Sequence, residues 1–512
     1  MENLRTQTHY CKFRVAETWR FNGAKNSSIF FSKTLFTKPS TKFTTKNCIS
    51  SVQPSLPVAI SDNNSTKHIT LLVEAYHEHK RLNTLLEKLE KKDSSPSQIL
   101  REDGDWCKNH FWAVIRFLKN ASRSNEILQV FDMWKNIEKS RINEFNYDKI
   151  ICLLCEEAMM KDAVFTLQEM KTQGLRPSLE TYNPIIHGFA NDGKFDDAAF
   201  FLNEMKEINL KPDTDTYDGL LQAYGKFKMY DEIGMCVKKM ELEGCSPDQI
   251  TYNLLIKEYS RGGLLQKMEK VYQRMLSKRM HLKTSTLVAM LEAYAGFGIV
   301  EKMEKVYKRI LNTKTPLKDD LIRQLAKVYI ENYMFSRLED LGLDLSSTYG
   351  GTDFVWCLRL LSYACILSRK GMNIIIREMQ EENVLWNVTV ANTIMLAYLK
   401  MKDFKHLRIL LSQLPARCVK PDIVTIGILF DANRIGFDGN GTLETWRRMG
   451  YLYSEVEMKT DPLVLNAFGK GHFLKNIEEA YSSLEPEERA SKTWTYHSLI
   501  AVMSRQLEGR VS

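Results

Sequence analysis

A nine-residue phrase that recurs 35 residues later constrains the fold of this chain more than any other feature. Residues 268–276 read MEKVYQRML and residues 303–311 read MEKVYKRIL. A shorter echo, LQAY at 221–224 and LEAY at 291–294, lies 70 residues apart, which is two of the same period. Repetition at a fixed spacing of 20–50 residues is the signature of a solenoid. Such a chain presents a long surface, and an enclosed enzyme pocket is not expected.

The period can be followed along most of the chain. Steps of 35 from Asn183 lead through Asp218 and Asn253 to Val288 and Arg323. One residue is lost near Gly350-Gly351, and the period then resumes at Asn392, Gly427, Pro462 and His497. The predicted organisation is a leader at 1–60, a degenerate helical cap at 61–108, a first block of repeats at 109–349 and a more degenerate second block at 350–512.

Each unit reads as two helices joined by a turn. Tyr182, Ile186 and Phe189 form an apolar stripe on one helix, and a second stripe lies within residues 198–205. Asn, Asp and Gly at 191–193 interrupt the pattern between them. One hairpin cannot bury either stripe, so neighbouring units must stack. The sequence predicts an all-α superhelix.

Two segments carry a family resemblance. TYNPIIHGFANDGKFDDAAFFLNEMKEINLKPD at 181–213 and TYNLLIKEYSRGG at 251–263 resemble pentatricopeptide repeats. The likeness consists of the 35-residue period, the Tyr-Asn opening, the Gly turn, the Glu-Met ending and the Pro-Asp close. The resemblance, to the plain P-type of the family, implies a right-handed superhelical solenoid of stacked helix-turn-helix repeats.

Residues 1–60 differ in composition from the rest of the chain. They hold nine Lys or Arg against two acidic residues, together with fifteen Ser or Thr. A basic, hydroxyl-rich leader predicts an organellar transit peptide, and a disordered tail is the alternative. Its preference for Lys over Arg favours a chloroplast over a mitochondrion, as does the resemblance to a family found mostly in plant organelles. Of the net charge of +8, the leader carries +7, so residues 61–512 are near +1.

The cysteines indicate a reducing compartment, because ten of them are scattered without a disulfide-like framework. Cys152 and Cys155 have the spacing of a redox or metal pair, but no second pair or nearby His completes a site. They lie in the apolar run IICLLC, where a structural role is favoured. No cofactor, metal or small-molecule substrate is predicted. No later stretch is long enough to predict a membrane span.

The resemblance implies that the units read single-stranded RNA, one base per unit, through two or three side chains. In the family, the residue after the Tyr of helix one meets the base, and the residue that closes the unit tunes it. An Asn followed by an Asp favours uracil. The predicted base-contact residues are Asn183 with Asp213, Asn392 with Asp422, Asn253, and Asp218 with Asp248. The alternative for each Asn is a helix-start residue that caps its own backbone.

Other units depart from this pattern. Asn253 is followed by Lys283. Asp218 with Asp248 and Asp148 with Ser178 are poor matches, because they place a carboxylate where an amide or hydroxyl is expected. Val288, Arg323, Gly427 and Pro462 fall at the base-reading place and do not read as the family does. At the position three residues earlier, which sandwiches the base, Ile250 and Val424 fit, whereas most other units carry polar residues. A short footprint, or help from a partner, is therefore expected.

Basic residues provide a second indication of RNA binding. Lys226, Arg261, Lys400 and Lys470 fall just after helix one, where the resemblance implies contacts with phosphates. Residues 261–330 carry a net charge of +9. Several of these cations lie on second helices, such as Lys270 and Lys305, where an outer, solvated face is favoured.

The predicted function is binding of organellar RNA to assist its splicing, stabilisation, processing or translation. No nucleophile motif, phosphate loop or deaminase pattern indicates an enzyme. The alternative is a protein-interaction scaffold in an organellar ribonucleoprotein complex, without sequence-specific reading of RNA. Degenerate units and the near-neutral charge of residues 61–512 favour that alternative.

Overall fold

The computed structural model describes residues 63–91, 94–313, 315–483 and 494–501. It divides into two compact units, an N-terminal unit within residues 39–293 and a C-terminal unit that includes residues 294–512. The predicted leader at 1–60 lies outside the described residues. Across the described ranges no helix is both long and apolar enough to cross a membrane.

The N-terminal unit is built from helices in tandem. They are α1 (Asn63–Glu90), α2 (Pro96–Asp103), α3 (Lys108–Asn120), α4 (Ile127–Ile137), α5 (Glu144–Glu156), α6 (Met160–Thr172), α7 (Leu179–Asn191), α8 (Phe195–Glu207), α9 (Thr214–Lys226), α10 (Tyr230–Leu242), α11 (Gln249–Arg261), α12 (Leu265–Ser277) and α13 (Thr284–Gly296), whose last turn crosses the division. Short 3-10 helices lie at Ser124–Glu126 and Lys139–Arg141.

The C-terminal unit continues with helices of the same kind. They are α14 (Val300–Leu311), α15 (Asp319–Glu331), α16 (Phe335–Tyr349), α17 (Asp353–Cys365), α18 (Arg369–Glu381), α19 (Val388–Lys400), α20 (Phe404–Gln413), α21 (Ile423–Arg434), α22 (Asn440–Arg448), α23 (Pro462–Phe468) and α24 (His472–Ser482). A 3-10 helix lies at Tyr451–Tyr453, and residues 496–501 are helical. In the described residues, extended pairing is limited to one bridge, between Glu455 and Thr495.

The helix starts keep the predicted period. The odd-numbered helices from α5 to α15 begin 35 residues apart, and α17 begins 34 residues after α15, at the predicted one-residue loss. Capping boxes start several of them: Asp213 with Thr216, Asp248 with Thr251 and Asp422 with Thr425. Each Asp side chain accepts from the Thr backbone N–H, which satisfies a donor that the first turn leaves free. The all-α prediction of stacked helical hairpins is confirmed.

A repeated aromatic residue fills the core of the N-terminal unit. Tyr147, Tyr182, Tyr217 and Tyr252 follow the period, and each is buried against the neighbouring hairpins. The turn between the two helices of a hairpin also recurs, with a left-handed residue at Gly193, where φ is 77°. Glycine adopts this conformation without the steric cost that a side chain brings. The 35-residue period of the sequence therefore recurs both in the turns and in the buried core.

The end of the C-terminal unit differs from the prediction. Pro462 was expected to continue the repeat, but it begins α23, which packs against α15, α17 and α19 instead of following α21. Helix α24 packs against α21. Residues 454–468, called the return segment below, run back across the first helices of three earlier hairpins. The cause is local: 454–461 is non-helical, and Asp461 caps a helix of only seven residues.

Candidate nucleic-acid interface

The predicted base-reading residues share one structural position. Each is the fifth residue of the first helix of a hairpin, and these residues are called the fifth-position row. In the N-terminal unit the row is Asp148, Asn183, Asp218, Asn253 and Val288. In the C-terminal unit it is Arg323, Cys357, Asn392 and Gly427. Cys357 was not predicted from the sequence, because the one-residue loss shifts the phase of the repeat there.

Asn183 is tied to the first turn of the next hairpin. Its Nδ2 donates to Asp213 Oδ1 and to Asp215 Oδ2, each at 3.3 Å. Its Oδ1 accepts from the hydroxyl of Thr216 at 2.7 Å, and the same hydroxyl donates to Asp213. The alternative in which Asn183 caps its own backbone is therefore wrong. Asn183 and Asp213 are thus hydrogen-bonded to each other, and Thr216, which was not predicted from the sequence, orients the amide.

A groove opens beside this row in the N-terminal unit. It has a volume of about 410 Å³, and its lining includes Asp218, Asp248, Asn253, Lys257 and Lys283. Ile250, predicted to sandwich a base, also lines it and is 55% exposed. An apolar side chain that is held open to solvent beside polar groups can stack a planar base.

A second row of side chains lines the same groove. His187, Gln222 and Lys257 each lie four residues after a member of the fifth-position row, and they are themselves 35 residues apart. They were not predicted from the sequence, although residues at i and i+4 share one helix face. Gly219 lets α7 and α9 approach here, because a Cβ at that position would lie 2.1 Å from the His187 ring.

Asp218 has an unusual environment among the groove residues. Burial raises the pKa of its carboxyl group to about 6, and the nearby charges of Asp248, Asp215 and Asp213 act in the same direction. The hydroxyl of Thr251 partly offsets this by hydrogen bonding. Burial likewise raises the pKa of Asp148. The units of Asp148 and Asp218 thus hold a carboxyl group at the position where the unit of Asn183 holds an amide.

Asn253 does not form the kind of pair that Asn183 forms with Asp213. Its Nδ2 donates to the backbone oxygens of Gln249 and His281, and its Oδ1 accepts from the backbone N–H of Lys283 at 2.8 Å. The Lys283 side chain is not the partner. Both edges of this amide are held by backbone, which favours the structural alternative for Asn253.

Asn392 repeats the arrangement of Asn183, but it is covered. Its Nδ2 donates to Asp422 Oδ1 at 2.9 Å, and its Oδ1 accepts from the Thr425 hydroxyl at 2.8 Å. A further bond runs from Nδ2 to Thr460 Oγ1 of the return segment at 2.6 Å. Asn392 and Asp422 are fully buried, as is Val424, the predicted sandwiching residue. Asn392 and Asp422 are thus hydrogen-bonded to each other and covered by the return segment.

The predicted phosphate contacts fall into two groups. Lys226, Arg261 and Lys400 are the last residues of the first helices α9, α11 and α19, and all three are exposed. Arg261 pairs with Glu258 at 3.0 Å, and Lys226 donates to the Asn191 carbonyl at 2.8 Å. Lys470 lies between α23 and α24 and pairs with Glu478, so it does not end a first helix.

The Cys152 and Cys155 pair packs within α5. Burial raises the pKa of the Cys155 thiol to about 12 and also raises that of Cys152. Thiols held protonated are poor nucleophiles and metal ligands. In the described part of the chain no cluster of His, Cys, Asp or Glu has the geometry of a metal site.

Comparison with known proteins identifies relatives of this chain. The family description "Pentatricopeptide repeat domain" matches residues 166–227 and 220–262, and "PPR repeat" matches residues 250–280. The chain is 59% identical over 457 residues to the Arabidopsis thaliana "Pentatricopeptide repeat-containing protein At4g14190, chloroplastic". That match covers 89% of this chain and 90% of the relative.

Two solved structures are similar at low identity. The maize pentatricopeptide repeat protein PPR10 is 16% identical with a TM-score of 0.35, and the match covers 80% of this chain and 65% of the maize chain. This chain thus spans slightly less than two thirds of the maize protein. Yeast Rmd9p, solved in complex with a 16-nucleotide target RNA, is 11% identical with a TM-score of 0.32, covering 85% of this chain and 94% of the yeast chain.

Proposed function

Because the chain belongs to the pentatricopeptide repeat family, we propose that it binds single-stranded organellar RNA and assists its splicing, stabilisation, processing or translation. The name of its Arabidopsis relative confirms the predicted chloroplast location. Repeats of this kind read one base per unit. The protein acts by occupying an RNA segment, which keeps it unpaired or shields it from nucleases, and it carries out no covalent chemistry.

The observation that carries this proposal is the amide of Asn183 beside Asp213. The Thr216 hydroxyl fixes the orientation of the amide before any ligand arrives, since it donates to Asn183 Oδ1. The two bonds donated by Nδ2 are long, at 3.3 Å each, so a base edge can replace them at small cost. An amide both donates and accepts, as uracil recognition requires.

The test is a cycle that combines one protein substitution with one base substitution. Wild-type protein and Asn183→Ala are titrated with an RNA containing uracil at the read position and with the same RNA containing cytosine there. A base contact contributes about 1–3 kcal/mol, so wild type should lose roughly tenfold affinity or more on the change to cytosine. Asn183→Ala should bind both RNAs equally.

Asn253→Gln is the matched control, since that amide bonds to backbone on both edges. It should retain the discrimination between uracil and cytosine at the position read by Asn183. If Asn183→Ala discriminates as well as wild type does, the assignment of Asn183 is wrong.

A protein-interaction scaffold is the second candidate. Three apolar side chains on second helices, Phe165, Phe200 and Met235, are 35 residues apart and 60%, 62% and 61% exposed. Such a row is costly to leave in water and fits a protein contact. Absorbance of the protein purified from its organelle separates the candidates: co-purifying nucleic acid supports RNA binding, and its absence supports the scaffold.

A further inference from the structure

The return segment lies on the fifth-position row of the C-terminal unit. Asp461 Oδ2 accepts from Arg323 Nε at 3.0 Å, and Thr460 Oγ1 accepts from Asn392 Nδ2 at 2.6 Å. Between them, Cys357 is buried, and its thiol experiences the charges of Asp461 and Arg323. Two members of the row are thus bonded by two adjacent residues of the same chain, and the member between them is buried.

Asp422, the residue that closes the unit of Asn392, is hydrogen-bonded to the return segment as well. Asp422 Oδ2 accepts from the backbone N–H groups of Lys459 and Thr460, at 3.1 and 2.9 Å, and from the Thr460 hydroxyl at 2.6 Å. Thr389, on the first turn of α19, donates to the Lys459 carbonyl and accepts from the Asp461 N–H. These are the groups that an incoming base would need to reach.

The return segment is anchored on its other side too. The Glu457 carbonyl accepts from the N–H of Ile423, and the Val456 N–H donates to the Trp494 carbonyl at 2.9 Å. Tyr496 Oη accepts from the Glu457 N–H at 3.0 Å. In α23, Leu463 and Val464 are buried. Because these contacts would have to break together, the segment does not leave the surface readily.

In the N-terminal unit, Asp218 and Asn253 of the same row line a groove, while Asn183 is 6% exposed. Asn183 makes the same bonds to Asp213 and Thr216 that Asn392 makes to Asp422 and Thr425, but Asp215 of the next helix stands where Thr460 would be. The groove of about 410 Å³ continues from there towards Lys283. Two near-identical sites in one chain therefore differ in whether a peptide covers them.

We propose that the return segment is a built-in occupant that keeps nucleic acid off the fifth-position row of the C-terminal unit, so that RNA reading is confined to the N-terminal unit. This inference rests on the proposed function, since it specifies which of two equivalent Asn and Asp pairs contacts RNA. Asp461 and Thr460 act as pseudo-ligands for the residues that would otherwise contact a base.

The first experiment compares Asn392→Ala with Asn183→Ala in the full chain, at a temperature where thermal melts show both to be folded. Affinity for a uracil-rich single-stranded RNA is measured by fluorescence anisotropy. Asn183→Ala should lose tenfold or more, and Asn392→Ala should change by less than twofold. An equal loss in the two variants would overturn the inference.

The second experiment displaces the segment. Thr460→Asp with Asp461→Arg places a negative charge against Asp422 and a positive charge against Arg323. Cys357 should then be alkylated at least tenfold faster, as measured by peptide mass spectrometry, and nuclease footprinting should show a longer protected RNA. The control is Thr445→Asp with Asp438→Arg, the same residue types at exposed positions of the same unit.

Cys236, buried in the N-terminal unit, serves as an internal reference, and its labelling rate should not change. An unchanged Cys357 rate, or an unchanged footprint, would contradict the proposal.

Hydrogen exchange needs no substitution: the Lys459 and Thr460 amides should exchange slowly with and without RNA, and loss of their protection on adding RNA would show that RNA displaces the segment. A wild-type chain that binds no RNA would refute the proposed function. Hydrogen exchange and Cys357 labelling would still show whether the return segment covers the fifth-position row.

Discussion

At the scale of single residues, one residue type has three different roles along the fifth-position row. Asn183 bonds to side chains of the next hairpin, Asn253 is held by backbone groups, and Asn392 lies beneath the return segment. The sequence could place all three at one position, because the period fixes the position. It could not distinguish them, because the distinguishing partners are contributed by other hairpins or by a segment far along the chain.

Asp218 provides a prediction about stability and pH. Its pKa in the folded chain is raised from 3.8 to about 6, so between these values the folded state holds a proton that the unfolded state has lost. Stability therefore falls as pH rises through that window. Asp218→Asn removes the penalty, and since the group is partly exposed we expect a gain of about 1 kcal/mol at pH 8 and almost none at pH 3.5.

Urea unfolding of wild type and Asp218→Asn at the two pH values measures this difference. Glu207→Gln, at an exposed position that ends α8 and is not among the groups that shift the pKa of Asp218, is the control and should change stability little at either pH. A gain for Asp218→Asn of the same size at both pH values would show that the carboxyl group is not titrating in the folded chain.

At the scale of helices, the packing of one first helix on the next depends on small residues. Gly225 in α9 is buried against α11, and a Cβ there would lie 2.5 Å from Glu258 Oε2 and 2.7 Å from its Cγ. Glu258 is itself 3% exposed and has little room to move. We expect Gly225→Ala to lower the free energy of unfolding by about 1–3 kcal/mol, as overpacking does.

Gly234→Ala is the matched control, because Gly234 lies inside α10 with nothing within 4 Å of the added Cβ. The same chemical change should raise stability there, by up to about 1 kcal/mol, since alanine favours the helix. Thermal or urea melts of the two variants measure the difference. Equal effects would mean that α9 and α11 are not packed as closely as described.

Helix starts and hairpin order are the part of the fold that sequence reasoning reaches. They follow from the apolar stripes, the Asp caps and the recurring turns, each of which is local. The return segment is not local, because the bond between Arg323 and Asp461 joins residues 138 positions apart. Pro462 even keeps the 35-residue phase, so the pattern itself predicted another repeat where the chain turns back. Only the packing of α23 against α15, α17 and α19 shows that the chain does not form another repeat there.

At the scale of the whole molecule, charge limits how RNA can be held. Residues 61–512 are near +1, because the leader carries +7 of the total of +8. Sequence-independent attraction by this part of the chain should therefore be weak, and binding should depend on a small number of phosphate contacts. Within the N-terminal unit we predict that Lys226 and Arg261, each at the end of a first helix, make these contacts.

The dependence of RNA affinity on salt tests that assignment. Each neutralised phosphate on a single strand contributes about −0.7 to the slope of log affinity against log salt concentration, because counterions are released. Lys226→Gln and Arg261→Gln should each make the slope shallower by about that amount, without changing the preference for uracil over cytosine. Lys270→Gln, an exposed cation on the second helix α12, should leave the slope unchanged. If Lys270→Gln has the larger effect, RNA runs over the second helices, and the groove lined by Asp218 and Asn253 is not its path.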